Sequence, residues 1–383
     1  MAEMIYLDRS ATTPLSDAVK QNIIETMDRF GNPSSLHNLG VNAEHILTDA
    51  KKALLSALGM QNSKTSELIF TGGGSEANNL ALAGVARAKA QNKGGRIITT
   101  AAEHPSVLEC LKNLEKEGFE VVYIPAPRGV LDLSAFMQAM TPRTFLVSMM
   151  LVNNETGAVN DLAPVFSMAK SVNPNVVTHT DAVQAFMKMR FSPKSLGADL
   201  VSISGHKIGA PKGVGALYVS PEVTKTKRLS PVIFGGGQEN GMRAGTENTI
   251  GISAFATAAK EGLQDTASVR AVRERLISAI GDRVKINTPD GKYLPNILSV
   301  TLPDIKSETM LHFLSFKGIY VSSGSACSSH SKHQSHVLSD FGLNPRQSDC
   351  TLRLSFDASL SDDQIAFVGR SFAEGIDRLA KMR

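Results

Sequence analysis

Between residues 67 and 219 the chain alternates short apolar runs with longer segments of helical spacing, and this alternation constrains the fold more than any other feature. Residues 67–70 have the length and pattern of a strand and are followed at once by Gly72-Gly73-Gly74. Residues 75–90 are rich in Ala and Leu at helical spacing. Strand candidates follow at 96–99, 120–124, 175–180, 200–203 and 215–219, with a helical pattern over 107–116. Residues 145–152 are nearly all apolar, as a strand buried on both faces requires. Such alternation predicts an α/β fold with a mostly parallel sheet. Right-handed crossovers would place helices on both of its faces.

After Gly245 the texture changes. Helical patterns at 249–264, 269–280 and 308–317 are interleaved with strand-like runs at 296–302 and 351–356, and 362–382 reads as an amphipathic helix. This predicts a large domain over 14–255. A smaller α+β domain is formed by 1–13 and 256–383. A 42% apolar and 20% charged chain can form a core and is neither disordered nor fibrous. A net charge of +4 is too small to imply a nucleic-acid surface. Three cysteines cannot build a disulfide scaffold, which points to a reducing, cytoplasmic setting. No apolar run reaches the roughly 18 residues of a membrane span, and the first residues do not read as a secretory signal.

Three motifs carry chemistry. In TGGGSEANN, 71–79, the glycines allow close backbone approach. The helix that begins near Ser75 aims free N–H groups at that turn, which suits a phosphate. A tight turn with Ser75 as helix cap is the alternative. In SGHKIGAPKG, 204–213, Lys207 sits at a predicted strand end, where lost hydration favours the neutral amine of an imine-forming lysine. A solvated loop lysine is the alternative, and Lys212 fits it better. In TDAVQ, 180–184, Asp181 lies just past an apolar strand, where open α/β sheets bind ligands. A helix cap is again the alternative.

In this order and spacing the three motifs form the layout of a pyridoxal phosphate site. The chain resembles the cysteine desulfurases of class V, fold type I pyridoxal phosphate enzymes. Further matching stretches are LDRSATTP at 7–14, FGNPSSLH at 30–37, EHPSV at 103–107, VNNETG at 152–157 and APKGVGALY at 210–218. Others are GGGQENGMRAGTEN at 235–248, SSGSACSS at 322–329 and LRLSF at 352–356. Together they span almost the whole chain.

The resemblance implies a role for each matching residue. Lys207 would carry the cofactor, Asp181 would pair with its pyridine nitrogen, and Gln184 would hydrogen-bond its phenolic oxygen. Asn154 would lie near that oxygen and the substrate. His104 would stack on the ring and move protons. Gly74, Ser75, Ser204 and His206 would hold the phosphate; relatives often have Thr where this chain has Ser75. Thr246 would reach the phosphate of a neighbouring subunit, implying a C2 homodimer. Arg353 would clamp the substrate carboxylate; alternation along LRLSF turns it away from Leu352 and Leu354.

Cys327 would take sulfur from L-cysteine as a persulfide, leave alanine, and pass the sulfur to an acceptor protein. Cys110 and Cys350 read as inert thiols. Cys327, His330, His333 and His336 recur every third residue, a spacing that converges poorly on a metal, so no metal site is expected. The stretch after Cys327 has the length found in the mobile-loop, NifS/IscS-like branch, and the loop is placed at 322–337. Arg9 departs from the family pattern, where Tyr or Asn is usual. The sequence runs to Arg383, soon after its last predicted helix; housekeeping relatives carry a further tail that docks an iron–sulfur scaffold, so the resemblance makes that acceptor the less expected one. Iron–sulfur assembly, tRNA thiolation and DNA phosphorothioation stay open as destinations of the sulfur. No direct contact with nucleic acid or membrane is expected. The rival readings are another class V enzyme, such as a selenocysteine lyase or aminotransferase, and a non-catalytic sulfur-relay subunit.

Overall fold

A computed structural model of the chain describes residues 4–61, 67–89, 92–324 and 335–380. A two-residue strand, β1 (Ile5–Tyr6), is followed by seven five-residue strands. These are β2 (Glu67–Thr71), β3 (Arg96–Thr100), β4 (Glu120–Ile124), β5 (Thr144–Ser148), β6 (Val177–Asp181), β7 (Leu200–Ser204) and β8 (Gly215–Val219). The seven form one sheet in the order β2-β8-β7-β6-β5-β3-β4. Only β8 runs against the rest, antiparallel to both β2 and β7. The sheet is therefore mixed but mostly parallel, as the alternation predicts.

Period-two alternation divides the side chains of this sheet between two cores. Ile69, Ile97, Leu146, Leu200 and Leu217 meet Leu80, Leu82 and Leu111 of the helices Gly74–Ala88 and Pro105–Lys116. Phe70, Ile98, Val147, Val201 and Ala216 meet Leu54, Phe166 and Phe255 on the other face. β5, β6, β7 and β8 are buried at every position, so their sequences read as continuous apolar or small-polar runs. The apolar run at 145–152 outlasts its strand. β5 stops at Ser148, and Met149 to Val152 stay buried in the turn that follows. Burial and strand pairing part company there, which periodicity alone cannot show.

The second sheet is small and antiparallel. It holds β9 (Lys285–Ile286), β10 (Ile297–Thr301), β12 (Ser322–Ser323) and β13 (Thr351–Ser355) in the order β12-β13-β10-β9. β11 (Ile319–Tyr320) instead pairs in parallel with β1. Its core gathers Leu276, Met310, Leu352, Leu354 and Phe372, together with Ile5 and Leu7 from the start of the chain. The last helix, Asp362–Ala380, buries Ile365, Val368, Phe372 and Ile376, the stripe that its amphipathic pattern predicts. The helix Thr249–Lys260 lies with the large sheet, where Ile252, Phe255 and Ala259 join the core.

Candidate active site

Fold topology puts the carboxyl ends of β3, β5, β6 and β7 at one edge of the large sheet, and a cleft of about 320 Å³ opens there. Of the residues singled out by sequence, Gly74, Ser75, His104, Asn154, Asp181 and Gln184 line it, with Ser204, His206, Lys207 and Arg353. Thr246 is exposed and lies outside this lining. Cys327, His330 and His333 fall outside the described residues. A larger hollow of about 530 Å³ lies at the amino ends of the strands, around Gly95, Arg143 and Asn175, and holds none of these residues.

Asp181 ends β6 with 6% of its surface exposed. Its Oδ2 accepts from Asn78 Nδ2 at 2.7 Å and its Oδ1 from the Val183 N–H at 2.9 Å. Asn78 is a site residue that the sequence motifs do not single out. It stands one helical turn beyond Gly74, so helical spacing could have placed it on the face that meets Asp181. β7 ends at Ser204, and a single 3₁₀ turn, Gly205–Lys207, carries the lysine. Lys207 Nζ donates to the carbonyls of Ser10 at 2.7 Å and Ala11 at 2.8 Å. The 7–14 motif thus crosses from the small sheet to the cleft. Thr13 continues the crossing with N–H to His206 O at 2.9 Å and Oγ1 to Lys207 O at 3.0 Å.

His104 caps the helix Pro105–Lys116, its Nδ1 accepting from the Ser106 N–H at 3.1 Å. Accepting from an amide assigns the ring proton of a neutral imidazole to Nε2. Burial pulls the His104 pKa down; Asp181 opposes this, while Lys207 and His336 reinforce it. His206 is held down to about 4 by burial and by Lys207, Lys212 and Lys188. Both rings are therefore neutral at neutral pH. Glu103, missed by sequence, is fully buried beside the site. Its Oε1 accepts from Thr100 Oγ1 at 2.7 Å and the Met150 N–H at 2.8 Å, and burial pushes its pKa up to about 8.

Arg353 projects from β13 into the cleft while Leu352 and Leu354 enter the small core. Its guanidinium meets Asp8 Oδ1 at 2.8 Å and the Asn154 carbonyl at 3.1 Å. Arg9, the departure from the family pattern, pairs with Asp357 at 2.8 Å. The segment 325–334 is flanked by anchored residues. Gly324 N–H donates to Thr351 O at 2.9 Å, and Ser335 Oγ donates to Glu155 Oε2 at 2.6 Å. His336 Nε2 meets the Glu103 carbonyl at 2.8 Å.

The cleft fits pyridoxal phosphate on three observations. No side chain caps the helix Gly74–Ala88, whose N-cap is Gly73 at φ 153°, ψ −177°, a conformation open to glycine. Ser75 is therefore not the cap, and the first N–H groups of the helix remain for an anion. Next to them Ser204 Oγ is buried with no hydrogen-bond partner among the described residues. A Cβ at Gly74 would stand 2.8 Å from Val183 Cγ2 and 3.4 Å from Ser204 Cβ, filling this cradle.

Comparison with known proteins agrees with this geometry. The family described as class V aminotransferase matches residues 5–368. A cysteine desulfurase IscS of Clostridium botulinum is 38% identical over 379 residues, covering 96% of this chain and 93% of that protein. A solved NifS-like protein superposes with a TM-score of 0.89 at 34% identity, covering 98% of this chain and all of the other. A structure described as SspA in complex with cysteine superposes at 0.81 with 33% identity, covering 92% of this chain and 99% of that one. A half-buried lysine and a buried carboxylate at the strand ends, an uncapped helix and full-length similarity converge on one conclusion: the chain belongs to the class V aminotransferase family, in its cysteine desulfurase branch.

Proposed function

We propose that the protein is a pyridoxal-phosphate-dependent cysteine desulfurase in which L-cysteine and the Cys327 thiol give L-alanine and a Cys327 persulfide. The observation that carries this is the convergence of Lys207, Asp181, His104 and Arg353 on one cleft. When bound, pyridoxal phosphate supplies an electron sink that weakens bonds at the substrate's α and β carbons. Lys207 holds the cofactor and, with neutral His104, moves protons near the substrate. Asp181, fixed by Asn78 and Val183, holds a proton on the ring nitrogen. Ser204, Gly74, Ser75 and His206 hold the phosphate. Gln184 and Asn154 orient the ring and substrate, and Arg353 takes the substrate carboxylate.

The anchored residues on both sides of 325–334 support delivery of Cys327 to this cleft. The sulfur then passes to an acceptor protein, for iron–sulfur assembly, tRNA thiolation or DNA phosphorothioation. The working unit is a homodimer, with Thr246 completing the partner's phosphate site. We place the protein in the cytoplasm, acting without direct nucleic-acid or membrane contact. No helix among the described residues is long and apolar enough to cross a membrane. The two sheets with separate cores support a division into a large unit and a small one formed by both chain ends. A break after Lys260 keeps the helix Thr249–Lys260 whole.

The test is incubation with L-cysteine, quantifying alanine and mapping peptide masses, with Cys327→Ala as control. Alanine and a one-sulfur mass gain on Cys327 are the expected results. Cofactor-loaded protein that yields neither would overturn the cysteine reading in favour of another class V activity.

A further inference from the structure

Lys188 is a buried lysine that this chemistry leaves without a role. It is 4% exposed, lies behind the cleft lining, and follows Met187, whose φ of 60° lies in the left-handed region. Its Nζ donates to Gln184 Oε1 at 2.9 Å. Gln184 Nε2 donates to the Ser10 carbonyl at 3.0 Å, and that carbonyl accepts from Lys207 Nζ at 2.7 Å. Three hydrogen bonds thus link a buried amine to the amine in the cleft.

Donor and acceptor types fix the direction of this chain. A lysine amine donates and a carbonyl accepts. Turning the Gln184 amide over would set Nε2 against Lys188 and Oε1 against the Ser10 carbonyl. The bond to Ser10 would be lost, as would the bond to Lys188 when its amine is charged, and like groups would then face each other in a buried site. The amide is therefore pinned with its nitrogen away from Lys188. One N–H goes to Ser10, and the second remains for the cleft that Gln184 lines.

We propose that Lys188 is a positioning residue: by holding Gln184 Oε1 it makes Gln184 a hydrogen-bond donor to an anionic oxygen on the bound ring, and it sets a cation behind that contact. The proposal rests on the pyridoxal phosphate reading above. Burial, then Lys207, Arg353 and Arg9, pull the Lys188 pKa down to about 7, so an anion on the cleft side favours its charged form.

The experiment uses holoenzyme of the wild type, Lys188→Met and Lys188→Gln, titrated from about pH 6 to about pH 10 by the visible absorption of the bound cofactor. In Lys188→Met the midpoint of the band is expected to rise by about one pH unit, because a like charge and a donor to the ring oxygen both disappear. Its kcat for alanine formation falls about ten-fold with little change in KM. Lys188→Gln, which still offers an N–H to Gln184 Oε1, recovers part of both effects. An unmoved midpoint in both variants overturns the proposal. Equal losses in both variants with a lowered unfolding temperature also overturn it, as does failure of both to fold; each makes Lys188 a packing residue. Wild-type protein that binds no pyridoxal phosphate removes the parent reading and this one together, so the two failures are distinguishable.

Discussion

Glu103 and Arg353 show what burial does to a charged residue in this site. Glu103 has a folded-state pKa near 8 against 4.5 for an unperturbed glutamate. The folded form keeps its proton while the unfolded form loses it, so stability from this group is complete below about pH 4.5 and declines as pH rises to about 8. Glu103→Gln is expected to remove that decline, on the order of 4 kcal/mol relative to wild type across the window. Denaturant unfolding of both proteins at several pH values reads it directly, and parallel stability curves would refute it. Arg353 is held by Asp8 and the Asn154 carbonyl, so its planar fork is preset. Arg353→Lys keeps the charge and loses the fork. KM for L-cysteine is expected to rise about ten-fold with kcat little changed, read from steady-state alanine formation.

At the scale of elements, function gathers where strands end. The helix Gly74–Ala88 meets the cleft with a glycine N-cap and no side-chain cap. Gly74→Ala would press a Cβ against Val183 and Ser204 in the phosphate cradle. Pyridoxal phosphate affinity is expected to fall about ten-fold in equilibrium dialysis, and unchanged affinity would place the phosphate elsewhere. Strand positions were legible because five-residue buried runs bounded by glycine and polar residues have few other readings. The turn at 149–152 was not, because a cleft-lining turn and a buried strand demand the same apolar residues. The helices Asp17–Met27 and Asn38–Ala57 also escaped the periodic reading. Their exposed faces carry Ile24, Met27 and Leu39, which blurs the 3.6-residue pattern.

For the whole molecule, other exposed apolar side chains bear on assembly. Phe30 is 79% exposed, Leu36 98% and Phe234 80%. In the proposed homodimer these side chains are expected to be buried, with Thr246, exposed outside the cleft, reaching the neighbour's site. Sedimentation equilibrium is expected to give twice the 40.9 kDa of one chain, and a single-chain mass at micromolar concentration would count against it. Leu36→Glu is expected to shift the protein toward monomer and to weaken cofactor retention, readable by the same method with absorbance in the visible.

Much of this protein was settled by the sequence alone. The strand–helix alternation required an α/β sheet, and the Gly-rich turn, TDAVQ and SGHK are legible in the sequence, because local propensity and periodicity depend on near neighbours. Tertiary structure alone decided which side chains meet. It set Asp8 against Arg353, 345 residues apart, joined Asn78 to Asp181, and ran Lys188 through Gln184 and Ser10 to Lys207. Such contacts depend on strand order and on the crossing of the N-terminal segment, and no local pattern encodes those. The same holds for Glu103, whose pKa is raised because folding buries its carboxylate.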